Sequence, residues 1–192
     1  MLIERVFYPV ETLGVGKRIV IWTCGCSKRC PKCISPEMWE TDKKKDIPVQ
    51  QLLKAVCKII KENKVDGITI SGGDPLEQSE EVLELISHLH KVCPDILIYT
   101  GFTLQELHTV LSNEDYKRLV ENTAVLIDGR YIDELNDNKS PLTGSTNQNI
   151  HFFDVSLKPK YDEYCCLNER HIQNIFYGRN VISVGIHNKE EL

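Results

Sequence analysis

The sequence has no apolar run approaching the roughly 18 residues that a membrane-crossing helix needs, which excludes a spanning segment. It also lacks a surplus of basic charge. Lys and Arg number 23 against 28 for Asp and Glu, a formal net charge of −5. That balance gives no electrostatic footprint for nucleic acid or an anionic membrane, so neither is expected as a partner. Nothing in the opening MLIER resembles an export signal, and the cytoplasm is the expected address. Internal repeats and low-complexity tracts are absent, and 192 residues, 41% of them hydrophobic, suit one core. A single domain over 1–192 is expected. There is no G-x4-G-K-[ST] phosphate loop, because GVGK precedes a strand rather than a helix. The six histidines, His88, His90, His108, His151, His171 and His187, stand singly and form no ligand pair.

Cysteine is what the chain has in plenty. Four of its eight cysteines fall in CGCSKRCPKC, residues 24–33. The others, Cys57, Cys93, Cys165 and Cys166, lie far from that cluster. Without an export signal, clustered thiols read as metal ligands rather than as a disulfide framework. The pair Cys165-Cys166 reads as inert.

The pattern around the cluster is alternating. KRIVIWT, residues 17–23, is rich in β-branched and aromatic side chains and reads as a buried strand that runs into the cysteine loop. Pro48 opens a helix whose apolar positions are Val49, Leu52, Leu53, Val56, Ile59 and Ile60. A strand over 67–71 ends in the glycine turn of SGGDP. Ser79–Val92 is helical, with Pro94 stopping it. DILIYTG is a strand, TLQELHTVL a helix, NEDYKRLV a continuation of that helical layer, and TAVLIDG a further strand. Beyond it, 129–148 reads as polar loop, with strand-like NIHFFDV and VISVGI later. Such alternation predicts an α/β fold with a mostly parallel sheet. The cysteines, SGGDP, TGF and DGR each follow a strand, so they should converge on one rim, where parallel sheets gather ligands.

Cys26-x3-Cys30-x2-Cys33 supplies three thiolates from one loop, enough for three irons of a [4Fe–4S] cluster. The fourth iron then keeps an open position, where substrates bind. Lys28, Arg29 and Lys32 are placed to offset the charge of such a cluster. Two readings compete with this one: all four thiols around zinc, or a fully ligated electron-transfer cluster that recruits Cys24. Against zinc, Cys24-Gly25-Cys26 is tighter than the usual zinc-binding arm, and Cys24 alone reads as a small apolar residue at a strand end.

C-x3-C-x2-C followed by SGGDP after the next strand resembles the radical S-adenosylmethionine superfamily. Within it, the chain is most similar to the activating proteins of anaerobic ribonucleoside-triphosphate reductase. The resemblance runs discontinuously over about 14–155, through GVGKRIVIWTCGC, CISPEMW, GITISGGDPLE, LIYTGFTLQEL, VLIDGR and GSTNQNI. It implies a short, incomplete βα-barrel, with a less regular section over about 157–192. It implies a [4Fe–4S] cluster on Cys26, Cys30 and Cys33, and S-adenosylmethionine held by Gly72, Gly73, Asp74, Thr100 and Asp128. The implied chemistry is reductive cleavage of that cofactor to a 5′-deoxyadenosyl radical, which takes a hydrogen atom from a glycine of a glycyl-radical enzyme. The implied partners are a large anaerobic ribonucleotide reductase and an electron donor such as flavodoxin or ferredoxin. A different protein, peptide or small-molecule substrate is the alternative within the superfamily. Ser145, Asn147 and Gln148 match a family signature without a derivable role. Leu142-Thr143 stands where an arginine usually precedes that signature, and Lys32 where a glycine or aromatic is common.

Overall fold

The computed structural model describes residues 1–189. Its centre is a six-stranded sheet in the order β1-β2-β3-β4-β5-β6. The strands are Ile3–Val10 (β1), Arg18–Thr23 (β2), Gly67–Gly72 (β3), Ile96–Tyr99 (β4), Val125–Asp128 (β5) and Asn149–Phe152 (β6). β2 to β5 run parallel, and β1 and β6 close the two edges antiparallel. The fold is thus mixed α/β with a mostly parallel sheet, as expected.

Strand alternation sorts the side chains between two faces. Ile19, Ile21, Ile68, Ile70, Ile96 and Ile98 meet the helices Val49–Glu62 (α1), Ser79–Leu89 (α2) and Asn113–Asn122 (α4) in the largest apolar cluster. A short helix, Leu104–Val110 (α3), is closed at its start by a capping box between Thr103 and Glu106. α4 continues this layer as a separate helix, which Ser112 caps by accepting from the Asp115 N–H.

The inner face is covered by the C-terminal section. On one side Val20 and Trp22 pack with Val184; on the other Leu97, Val125 and Ile127 pack with Leu142 and Tyr161. Tyr161 belongs to a helix, Lys158–Cys166 (α5), and Val184 to a hairpin of Gln173–Tyr177 (β7) and Asn180–Val184 (β8). Arg18 pins α5 down from within the sheet. Its fully buried guanidinium donates to Thr69 Oγ1, Ile68 O and Asp95 Oδ1, and Asp95 Oδ1 also accepts from the Tyr161 hydroxyl. A Cβ at Gly67 would lie 2.2 Å from that guanidinium, so glycine is required there.

Four elements differ from the sequence expectation. β1, α5 and β7 were not foreseen, and the strand expected over 181–186 pairs only with β7, outside the main sheet. Among the described residues no helix is long and apolar enough to cross a membrane.

Candidate iron–sulfur and cofactor site

The cysteine loop, SGGDP, TGF and DGR do meet at the carboxyl ends of β2 to β5. The loop is seated by its main chain. Gly25 N–H donates to Met38 O, Cys26 N–H to Trp39 O, and Asp74 N–H to Gly25 O at 2.8 Å. Gly73 N–H donates to Thr23 O at 2.8 Å. Such contact needs bare backbone. A Cβ on Gly73 would lie 2.3 Å from Gly25 O, and Gly72, at φ +114°, would bring one 2.3 Å from Thr23 N. The two glycines of SGGDP therefore serve first to let the cysteine loop lie on β3.

Side chains lock the same joint. The Lys28 side chain is 5% exposed and its ammonium lies 2.9 Å from Glu77 Oε1 and 3.5 Å from Asp74 Oδ2, over the ring of Phe102. Glu77 also accepts from the N–H and hydroxyl of Ser27. The loop's other cations are paired too, Arg29 with Glu40 and Lys32 with Asp133. Each positive charge expected to offset a cluster thus already meets a carboxylate. The sequence reading missed Glu77 and the joint that Lys28 makes; the signal available was an acid in the turn after SGGDP. Arg29 and Lys32 adopt left-handed backbone, at φ +44° and +55°, which costs a non-glycine residue about 1 kcal/mol each.

The acids of the rim are consumed by the frame. Asp74, 1% exposed, accepts from Thr100 Oγ1 at 2.8 Å and from the N–H groups of Gly101 and Leu76. Its burial pushes the carboxyl up, against the opposing pull of Lys28 and those donors. Asp128 accepts from the N–H groups of Leu104 and Asn149 and from Asn149 Nδ2, and His151 Nε2 stands 2.9 Å away. Burial works to raise its pKa, but these partners win and hold it below the usual carboxylate range. Thr100 donates its hydroxyl to Asp74. The histidine at 151, to which the sequence assigned no role, is thus a partner of Asp128.

The thiols are left free. Cys26, Cys30 and Cys33 are half-buried and unbridged. Burial pushes Cys26 and Cys30 up, offset in part by main-chain N–H groups of Lys28 and Arg29 at Cys26 and of Tyr131 at Cys30. Iron binding would therefore release protons. Cys24 is different. It is buried, its thiol donates to Glu4 on β1 at 3.4 Å, and burial together with that carboxylate pushes it up to about 11. Among the described residues no three His, Cys, Asp or Glu side chains gather around one point, as a single zinc would demand. A cubane instead takes each thiolate at a separate iron, and three soft donors on one loop fit it.

Beside the loop a cavity of about 400 Å³ opens over the inner face, within the usual range for ligand pockets. Cys33, Ser71, Gly72, Tyr99 and Gln148 line it. Its wall includes the polar residues Ser71 and Gln148, while the hydroxyl of Tyr99 is itself buried. The residues present fit a cluster with a polar molecule next to it.

Known proteins agree with this geometry. A family model described as a 4Fe-4S single cluster domain matches residues 12–151. The anaerobic ribonucleoside-triphosphate reductase-activating protein of Salmonella typhimurium is 30% identical over 152 residues, covering 76% of this chain and 95% of the relative. The chain belongs to this single-cluster 4Fe–4S family. The Haemophilus influenzae protein of the same name is 31% identical over 157 residues, covering 77% of this chain and 96% of its own. The pyruvate formate-lyase-activating enzyme of Clostridium pasteurianum is 25% identical over 165 residues, covering 80% and 63%. The family member described here is an iron–sulfur enzyme of the radical S-adenosylmethionine type. The family match ends at 151, so α5 and the β7–β8 hairpin lie beyond it.

Proposed function

We propose that the chain activates a glycyl-radical enzyme, an anaerobic ribonucleotide reductase, by removing a hydrogen atom from a glycine of that partner. The observation that carries this reading is the set of three unbridged thiols on a loop keyed by bare backbone to SGGDP, beside a cavity. When bound, a [4Fe–4S] cluster with S-adenosylmethionine supplies an alkyl radical that abstracts hydrogen.

The chain's own residues bind, orient and shield. Cys26, Cys30 and Cys33 hold the cluster. Gly72 presents main chain to the cavity, and with Gly73 it sets the distance between the cluster loop and the cofactor. Asp74, Thr100 and Asp128 act from behind as positioning residues, since their side chains are already engaged. The sheet, with its inner face turned to the cavity, corresponds to a partial radical S-adenosylmethionine barrel. An electron-transfer role with four thiolates is less well supported, because Cys24 turns to Glu4. A reductant such as flavodoxin or ferredoxin and a cytoplasmic location complete the proposal.

The test is anaerobic. The chain is reconstituted with iron and sulfide, reduced with dithionite and given S-adenosylmethionine. 5′-Deoxyadenosine is expected, with a glycyl radical signal once the reductase is added. A full, reducible cluster that makes neither product in the presence of the reductase would falsify the reading.

A further inference from the structure

Among the described residues no strand pairs with the outer edge of the C-terminal hairpin, and β8 lines the cavity. β8 pairs with β7 on one side, and the two strands form a sheet of their own. Side chains of a strand alternate between faces, so a cavity lying against one face would touch every second residue. Ile182, Ser183, Val184, Gly185, Ile186 and His187 all line this cavity in unbroken succession. Three of these belong to β8. Among them Ser183, whose side chain turns by alternation away from the face that Ile182 and Val184 share, lines the cavity too, so the cavity reaches the main chain of the strand there.

The hairpin's register says which groups are exposed there. Tyr177 pairs with Asn180 across the two-residue turn Gly178-Arg179. In an antiparallel pair closed this way, alternate residues bond to the partner strand. Asn180, Ile182 and Val184 turn their main-chain groups to β7, and Val181 and Ser183 turn theirs away. The segment is held firmly in this pose. Val184 O accepts from Thr12 Oγ1 at 2.9 Å, and Gln173 bridges to Glu11 N–H and Pro9 O. Arg170 donates to His187 O at 2.8 Å and also to Asn136 Oδ1, Ser140 O and Thr143 O. One guanidinium thus ties the strap after β8 to the loop that leads into GSTNQ, which lines the same cavity through Gly144 and Gln148.

We propose that the free edge of β8 is the binding edge for the substrate polypeptide: an extended, glycine-bearing segment of the partner adds to β8 as a third strand. An unpaired edge is a template for such addition, with main-chain hydrogen bonds giving affinity. The occupant is argued from continuity with the reaction cavity, since Cys33, Ile34 and Ser35 of the cluster loop line the same space. Glycine suits the place, having no side chain to hold its Cα away from those residues. The outer face of the hairpin continues this surface, with the cross-strand pair Phe176 and Val181 78% and 53% exposed. The proposal rests on the activase reading and names how the partner is held.

The probe is an acetylated, amidated seven-residue peptide with a central glycine flanked by serine and valine, labelled for fluorescence anisotropy. It is titrated into the full, cluster-loaded chain. Binding is expected, with slowed hydrogen exchange at the amides of Val181 and Ser183. Ser183→Pro removes an outward N–H and should weaken binding at least tenfold, whereas Ser183→Ala stays within twofold. Circular dichroism and iron content report whether either variant still folds, and the exchange measurement needs no variant. The proposal is overturned if the peptide does not bind at millimolar concentration, if the two amides exchange unchanged, or if both substitutions weaken binding equally. Binding and exchange are read without turnover, so a chain that fails to cleave S-adenosylmethionine would sink the activase reading and leave this result separate.

Discussion

Two sets of acidic groups stand at the same rim and are treated in opposite ways. Asp74 and Asp128, at the ends of β3 and β5, spend their oxygens on neighbouring N–H, hydroxyl and amide groups. Cys26, Cys30 and Cys33, on the loop after β2, carry no bridge and stay half open. Carboxylates accept several strong hydrogen bonds and so make good mortar for strand ends. Thiols accept weakly and bind iron well. The site divides its labour along that chemical line: oxygen acids build the frame, and sulfur is left free, as the proposed function requires.

The comparison breaks most completely if one open thiol is removed. Cys30→Ala should abolish stable cluster loading, read as loss of iron and of the brown sulfur-to-iron absorption after reconstitution. The melting temperature of the metal-free chain should move by a few degrees at most, because the main-chain N–H of Tyr131 turned to this sulfur makes only a weak hydrogen bond with it. A large fall in stability with iron retained would reverse the assignment of roles.

Removing a frame acid should do the opposite. Asp74→Ala leaves Lys28, Thr100 and Gly101 without their shared acceptor in a buried place. Breaking a buried pair of this kind costs about 3 kcal/mol, to be measured by urea unfolding. Iron loading should suffer only as far as the loop loosens. If the variant were as stable as wild type yet failed to bind S-adenosylmethionine, Asp74 would be a cofactor ligand rather than a strut.

Asp128 sharpens the contrast through pH. Its folded pKa lies below the unfolded value of about 3.9, so its contribution is complete above that value. The contribution is lost as pH falls through the folded pKa. In the metal-free chain, urea midpoints at pH 6 and pH 3 should differ less in Asp128→Asn than in wild type. An unchanged difference would mean that Leu104 and Asn149 do not hold the charge.

The frame was legible in the sequence only in outline. β2 to β5 were readable because KRIVIWT, GITIS, ILIY and VLID are short β-branched runs ending in glycine or aspartate turns. The cysteine loop stood out because thiol spacing is itself a chemical signal. Which acids serve the frame was not, since Asp before Gly or after Gly-Gly looks alike whether it faces a ligand or a neighbour. The partners of Lys28 were not legible for a similar reason: they arrive from the turn after β3, far from it in sequence. α5 and β7 were hidden because their apolar residues are few and spread over two faces, and what they cover is set by the open inner side of the sheet.

The smallest effect belongs to the fourth thiol of the cluster sequence, and it tests the division most finely. Cys24 is a sulfur that behaves as part of the frame: buried, protonated and donating to Glu4. Chemistry alone would let it join the iron; position does not, because the strand turns it to β1 while the chain reverses at Gly25, φ +96°, before Cys26. Cys24→Ala should therefore keep full iron content and lose about 1 kcal/mol, the worth of one hydrogen bond and a little packing. Cys24→Ser should lose a similar amount and also keep its iron. Iron that drops by a quarter or more in both variants would move Cys24 to the metal side and close the open iron position on which the activase chemistry depends.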